Sequence, residues 1–187
     1  MRMRATATPA APIDEFRAAF ADESAFAAWY ARTLPRVYSF LASRCGGPGP
    51  VAEELTQQTF VEAVRKRRSF DGRSDVITWL CGIGRHKLAD HYRRLEREER
   101  RQIQIVAEGR RREETSMWAV SDERDAIERA LGGLPAAQRA ALIFHHLDGM
   151  STREIARLLG RGEGAVESLL ARARTNFRKA YEGRLDG

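Results

Sequence analysis

Two stretches of this chain place cations where a nucleic acid could use them. Residues 67–75, RRSFDGRSD, set Arg67, Arg68 and Arg73 around a single aromatic, Phe70, with the turn-forming pair Asp71-Gly72 between them. Guanidiniums that track phosphates, beside an aromatic face on which an unstacked base can lie, suit single-stranded nucleic acid. A solvated turn pinned by Phe70 accounts for the same residues without a ligand. The next stretch favours the first reading. Ile77, Leu80, Gly84, Leu88, His91 and Leu95 step by three and four, the period of a helix, and leave Arg85, His86, Lys87, Asp90, Arg93 and Arg94 on the flanks and opposite side. A basic helix face directly behind a basic aromatic loop points to DNA.

A third stretch, Ser151 to Lys179, reads as helix, tight turn, helix. Ser151 and Glu154 form an S-x-x-E capping box, so a helix starts there. Ile155, Leu158 and Leu159 give it one apolar face, and Gly160 ends it where φ > 0 favours glycine. After Gly160-Arg161-Gly162, a second helix carries Val166, Leu169, Leu170, Ala173 and Phe177 at helical spacing. This is the pattern of a helix-turn-helix offering its second helix to a major groove, and equally of a helical hairpin that only packs.

Enzymatic chemistry finds no candidates. There is no Gly-rich phosphate loop, no G-x-S-x-G elbow and no carboxylate pair in a pocket context, so neither a catalytic residue nor a cofactor is expected. His86, His91, His145 and His146 lack ligand spacing with either cysteine, and the neighbours His145 and His146 should diverge on a helix; no metal is expected. Cys45 and Cys81 read as reduced, partly buried thiols.

The elements that position these residues are all helical. Sustained period-two alternation is absent, and no apolar run approaches a membrane span, which predicts an all-α protein of the cytoplasm. The start, MRMRATATPAAPI, has arginines but no apolar segment behind them, so residues 1–21 read as a disordered leader rather than a signal peptide. A helix is predicted over Asp22–Arg44, kinked or split by Pro35; GGPGP breaks the chain at 46–50; Pro50 opens a further helix. In that helix Leu55, Thr59, Phe60, Ala63 and Val64 form the inward arc and Glu54, Gln57, Gln58 and Val61 face out. The charged run from Glu96 to Glu114 reads as helix end and flexible linker. The helical pattern resumes near Asp122, pauses at Gly132-Gly133 and restarts at Pro135. The expected organisation is therefore leader 1–21, a helical domain 22–99, linker 100–121 and a second helical domain 122–183.

Charge sharpens this division. The chain of 187 residues carries a net +6, but residues 13–64 hold seven acids against four arginines, whereas residues 65–101 hold twelve basic residues against six acids. A molecule that touched only DNA has little use for the acidic segment, which implies a second partner.

In order along the chain, AEELTQQTFVEAV is similar to A-E-D-L-x-Q-x-x-F, SFDGRSDVITWLCGIGRHKLADHYRR to F-D-x-x-x-x-x-x-x-W-L-x-x-I-x-R-N-x-x-x-D-x-x-R, and ALGGLPAAQR to A-L-x-x-L-P-x-x-x-R. These are the motifs of regions 2.2, 2.3 to 2.4 and the start of region 4 in the extracytoplasmic-function (ECF) group of sigma-70 RNA polymerase sigma factors, which the chain resembles from Phe26 to Tyr181. The resemblance implies two small helical domains, region 2 and a region 4 helix-turn-helix. It implies that Glu53, Glu54, Gln57, Gln58 and Val61 meet the β′ clamp helices of core RNA polymerase, which is also met at the β flap. It implies that Phe70, Arg73 and Trp79, followed by Arg85, His86, Asp90 and Arg93, meet the melted minus-ten element. Arg161, Glu163, Ala165, Glu167, Ser168 and Arg172 would meet the minus-thirty-five major groove, and an anti-sigma factor is a family-level expectation. Two departures stand out. Glu167 and Leu169 replace cations of the usual G-T-V-K-S-R-L, and His86 replaces the usual Asn. The reading to set against this one is a DNA-binding regulator that works through the helix-turn-helix alone, without polymerase.

Overall fold

The computed structural model describes residues 12–107 and 122–182. Eight α-helices carry them: α1 Pro12–Ala18, α2 Glu23–Cys45, α3 Pro50–Arg65, α4 Val76–Ala107, α5 Asp122–Gly132, α6 Ala136–Leu142, α7 Thr152–Leu159 and α8 Glu163–Glu182. A 3-10 turn at Arg67–Ser69 and a π-helical segment at Ile143–Leu147 complete the regular structure, and no strand occurs among the described residues. The chain forms two compact units, Met1–Ser43 with Pro48–Arg85, and Arg44–Gly47 with His86–Gly187.

The first unit is built on rings and close helix crossings. Trp29, Val37 and Leu41 of α2 and Leu55, Phe60 and Ala63 of α3 are buried together with Leu80 of α4. Pro35 neither splits nor ends α2, which runs unbroken from Glu23 to Cys45. On α3, Pro50 occupies the start of the helix, where its missing N–H costs nothing, and Gly49 precedes it at φ 152°. Gly84 sits where a Cβ would lie 3.3 Å from both the Leu41 Cδ2 and the Thr59 Oγ1. Its presence in the apolar stripe of α4 is thus a packing requirement, since hydrogen alone lets α4 approach α2 and α3 this closely.

The expected disordered leader is corrected over its second half, because Pro12–Ala18 is helical and packed; residues 1–11 lie outside the described residues. Phe16 and Ala19 are buried at 2% and 4% exposure. Ile13, Phe16 and Phe20 stand at the i, i+3, i+7 spacing of a helix face, a signal masked by the Ala- and Pro-rich run ahead of them. The expected linker is corrected as well. The helix α4 runs to Ala107, well past residue 99, and the change of unit falls inside it, between Arg85 and His86; the expected linker residues 108–121 lie outside the described residues.

The second unit explains that extension. Glu99 accepts the Ala136 backbone N–H at 3.0 Å, capping α6, and Glu96 holds Arg161 in the turn after α7. The buried ring on this part of α4 is Tyr92, at 2% exposure, rather than the half-exposed His91 of the predicted stripe; the Tyr92 hydroxyl donates to the Arg44 carbonyl at 2.6 Å. Arg139 donates to the carbonyls of Gly132 and Leu134 at 2.6 and 3.1 Å, closing the end of α5 and the turn behind it. The arginine of the A-L-x-x-L-P-x-x-x-R motif therefore has a structural task. At His145 and His146 the structure departs from expectation: the rings meet edge to face, 4.7 Å apart, because the segment is π-helical and its residues are not spaced as on an α-helix.

Ser151 caps α7 as the capping box requires: the Glu154 N–H donates to its hydroxyl at 3.3 Å and the Ser151 N–H donates to the Glu154 carboxylate at 2.9 Å. Gly160 ends the helix in the left-handed conformation, φ 66° and ψ 42°. Two substitutions test these constraints by chemical denaturation. Gly84→Val forces branched carbon into a space already filled and should cost about 1–3 kcal/mol. Gly160→Ala places a Cβ in the left-handed region and should cost about 1–2 kcal/mol.

Candidate nucleic-acid interface

In the first unit, the aromatic and cationic residues of the 67–75 loop divide into two sets. Phe70 is 4% exposed, its ring 5.0 Å from Phe16 and 5.3 Å from Trp79. One side of the ring is covered by Phe16, a residue that loop composition alone could not reveal. Trp79 is half-buried in the same cluster. Arg73 does project, fully exposed, with its Nε 3.2 Å from the Asp71 carboxylate. Arg67 and Arg68 are exposed too. Gly72, at φ 74°, lies against Ile13 of α1, so the tip of the loop is pinned by the same helix.

Along α4, Arg85 is half-buried with its guanidinium 5.6 Å from the centre of the Phe40 ring, which ties part of its charge to packing. His86, Asp90 and Arg93 are exposed. Asp90 and Arg93 form an ion pair one turn apart, which gives the D-x-x-R spacing a physical cause and orients the guanidinium.

On α3, Glu53, Glu54, Gln57 and Val61 are exposed and Gln58 is half-buried, its amide donating to Glu54 at 2.8 Å. Val61 is 52% exposed in the middle of a charged and amide face. Folding the unit makes no use of it there.

In the second unit, Glu163, Ala165, Glu167, Ser168 and Arg172 are all exposed on the first turns of α8, opposite the buried Val166, Leu169, Leu170 and Ala173. Arg172 donates to the Ser168 carbonyl at 3.2 Å, and Glu163 lies 3.8 Å from Arg153. Leu169 is 6% exposed and belongs to the core. Of the two departures in this helix, only Glu167 alters the charge of the outward face. Arg161 is half-buried and held by Glu96, which also accepts from Arg100 at 2.7 Å. Burial alone would raise the Glu96 carboxyl, but the Arg161 and Arg100 guanidiniums outweigh it and hold the group below the usual carboxylate range. The contact is therefore in place at neutral pH and is lost only as pH falls through that lowered value.

Sequence reasoning missed a groove in the second unit. Ile127, Leu131, Leu142, Leu147, Phe177 and Tyr181 line a mainly apolar groove of about 430 Å³, and Ile127 and Leu147 stand 40% and 48% exposed. Ile127 and Leu147 carry no sequence signal of this exposure, since large apolar residues in helical segments read as core. Cys45 and Cys81 are half-buried, and burial pushes the Cys45 thiol up to about 11, which leaves it almost wholly protonated at neutral pH.

The sequence matches the sigma-70 region 2 family over residues 23–98 and the sigma-70 region 4 family over residues 124–177. It is 32% identical to the ECF RNA polymerase sigma factor BldN of Streptomyces coelicolor over 84% of this chain and 60% of that protein. It is 31% identical to the ECF RNA polymerase sigma factor SigF of Caulobacter vibrioides over 72% of each. Among solved structures it is similar to the sigma factor RpoE of Bartonella quintana, crystallised with the anti-sigma factor NepR, at 26% identity and a TM-score of 0.53, covering 86% of this chain and 98% of that one. The chain thus spans under two thirds of the length of the first of these relatives, and it carries both matched regions in order. The face on α3, the α4 cations and the exposed row on α8 all fall inside those regions, and the chain belongs to the sigma-70 family, among its ECF RNA polymerase sigma factors.

Proposed function

We propose that this protein binds core RNA polymerase, directs it to specific promoters and helps to open the minus-ten element. The observation that carries this reading is the unused face of α3. Glu53, Glu54, Gln57 and the 52%-exposed Val61 form a surface that packing does not require, inside the region 2 match. A regulator acting through its helix-turn-helix alone has no use for it. On this reading the β′ clamp helices cover that face, with Gln58 positioning Glu54 through their shared hydrogen bond. The apolar groove between α5 and α8 then receives the β flap, whose docking would bury Ile127 and Leu147.

The promoter contacts divide by region. Arg73, Trp79, His86, Asp90 and Arg93 serve the minus-ten element, with Arg85 supporting from its place over Phe40. Ala165, Glu167, Ser168 and Arg172 serve the minus-thirty-five element, while Arg161 and Glu163 begin from ion pairs with Glu96 and Arg153. Glu167 can accept a hydrogen bond from cytosine N4 but repels phosphate, so it should impose a base preference rather than add affinity. The reaction itself belongs to the polymerase, and the protein works with it in the cytoplasm as an initiation factor. A relative crystallised with an anti-sigma factor supports the expectation that such a partner binds this protein too.

Transcription of fragmented source DNA by core polymerase, with and without the protein, decides between the two readings. New RNA starts sharing two upstream elements at fixed spacing are expected, and none from a folded preparation would leave the lone DNA-binding regulator. Charge reversal at Glu53→Lys with Glu54→Lys should weaken capture of core polymerase about tenfold or more while the thermal transition stays in place. Arg172→Ala should weaken binding to the mapped minus-thirty-five element and lower the salt dependence of that binding by about one counterion if the contact is to phosphate.

A further inference from the structure

Residues 86–98 of α4 fall inside the region 2 match, yet they belong to the second unit, with the residues matched to region 4. Glu96 is the centre of their polar contacts. Both of its carboxylate oxygens accept from the Arg161 guanidinium in the turn after α7, and one of them also accepts from Arg100 at 2.7 Å. Three residues further on, Glu99 accepts the Ala136 backbone N–H at 3.0 Å. Arg93 stands beside the same turn, its Nη1 3.8 Å from where a Cβ on Gly160 would lie. Arg93, Arg97, Arg100 and Arg161 thus line one cleft of about 330 Å³, and of its lining residues only Glu96 carries a negative charge. The Glu96 and Arg161 side chains are 17% and 23% exposed, so water screens this pair less than it screens an ordinary surface pair.

We propose that Glu96 is an internal stand-in for a DNA phosphate, a latch that keeps Arg161 and the helix-turn-helix turn against α4 until promoter DNA replaces it. This rests on the reading that Arg93 serves the minus-ten element and Arg161 the minus-thirty-five element. Elements whose names set them about 25 base pairs apart lie about 85 Å apart along a duplex. Two residues that share one cleft cannot reach both, so the contacts of Glu96 and Glu99 open before the two elements are held together. The exchange strands no charge. Carboxylate and phosphate each offer a guanidinium negatively charged oxygens, so Arg161 passes from one such partner to another. Glu96 meanwhile keeps Arg100, one helical turn along α4. The turn after α7 does not need Glu96 for its shape, because the capping box and the left-handed Gly160 already set both ends of that helix. A carboxylate that only braced the turn would be wanted equally in the DNA-bound protein, whereas a latch is wanted only before binding.

The test follows the separation of α4 and α7 in the full chain. Nitroxide labels at Arg101→Cys and Arg157→Cys, exposed positions on those two helices, are read by double electron–electron resonance with Cys45 and Cys81 replaced by Ser. The free protein should give one short distance, and its complex with core polymerase on a mapped promoter should give a long one. Glu96→Gln should move part of the free population to the longer distance, and Arg161→Ala, which removes the other partner, should do the same. Glu98→Gln deletes the same charge from an exposed site on the same helix and should leave the distance where it was. In fluorescence anisotropy, Glu96→Gln should tighten binding of the free protein to a duplex carrying the mapped minus-thirty-five element about fivefold, an effect that vanishes in an Arg161→Ala background. Glu98→Gln should change that affinity by less than about twofold. A thermal melt of each variant shows that it folds. A short distance persisting in the promoter complex, a distance unmoved by Glu96→Gln, or equal tightening by Glu98→Gln would overturn the latch while leaving promoter recognition intact. Failure of the unaltered protein to bind core polymerase or any promoter would instead remove the reading on which the latch rests.

Discussion

The first unit depends on one aromatic cluster. Phe16 of α1 meets Trp29 of α2 at 5.4 Å, Phe70 of the loop at 5.0 Å and Trp79 of α4 at 5.4 Å, while Trp29 meets Phe60 of α3 at 5.8 Å. Every element of the unit contributes a ring. Edge-to-face and tilted pairs of this kind add about 0.5–1.5 kcal/mol each beyond the area they bury, and they fix orientation as well as proximity. The consequence for function is positional. The 67–75 loop has no regular structure beyond one 3-10 turn, yet its conformation is set from beneath, through Phe70, and from the side, through Ile13 against Gly72. Cations on such a loop lose less freedom on binding than cations on an unanchored one.

The second unit solves a similar problem with polar chemistry. A helix of eight residues, α7, has few backbone hydrogen bonds to lose, so its ends matter more than its length. The capping box fixes its start and the left-handed Gly160 its end, and between them they set where α8 begins. Arg139 closes the turn after α5, and Glu99 caps the start of α6. The outward row on α8 is then presented by a frame whose geometry is specified at its corners as well as by its buried core.

What was legible in the sequence follows from how local each signal is. The capping box, the positive-φ glycine and the i, i+3, i+4 stripes are properties of neighbouring residues, and the helices appear where those patterns put them. Gly84 was legible as a member of the stripe but not as a contact, because the atoms that require it, on Leu41 and Thr59, are distant in the chain. The burial of Phe70 was hidden for the same reason. Beside three arginines it reads as a nucleic-acid ring, and only the fold shows that Phe16 has taken its face. The helix α1 was hidden by the composition of the run before it, and the length of α4 by its charge. Glu96 and Glu99 look solvated in sequence, but in the fold one holds Arg161 and the other caps α6.

The absence of a candidate catalytic group in the sequence becomes intelligible once promoter opening is treated as an equilibrium. A protein that binds an unstacked strand, and cannot bind the same bases while they are paired, shifts the population toward the open form by its differential affinity alone. Stacking one base on an aromatic side chain contributes about 1–3 kcal/mol, which corresponds to a shift of about five- to 150-fold in that equilibrium. A ring of the right exposure, cations on either side and a loop that does not rearrange are sufficient for this. The same arithmetic limits what one captured base can do. A few kcal/mol cannot separate several stacked base pairs, so on the proposed reading it is polymerase binding that combines the small terms into opening.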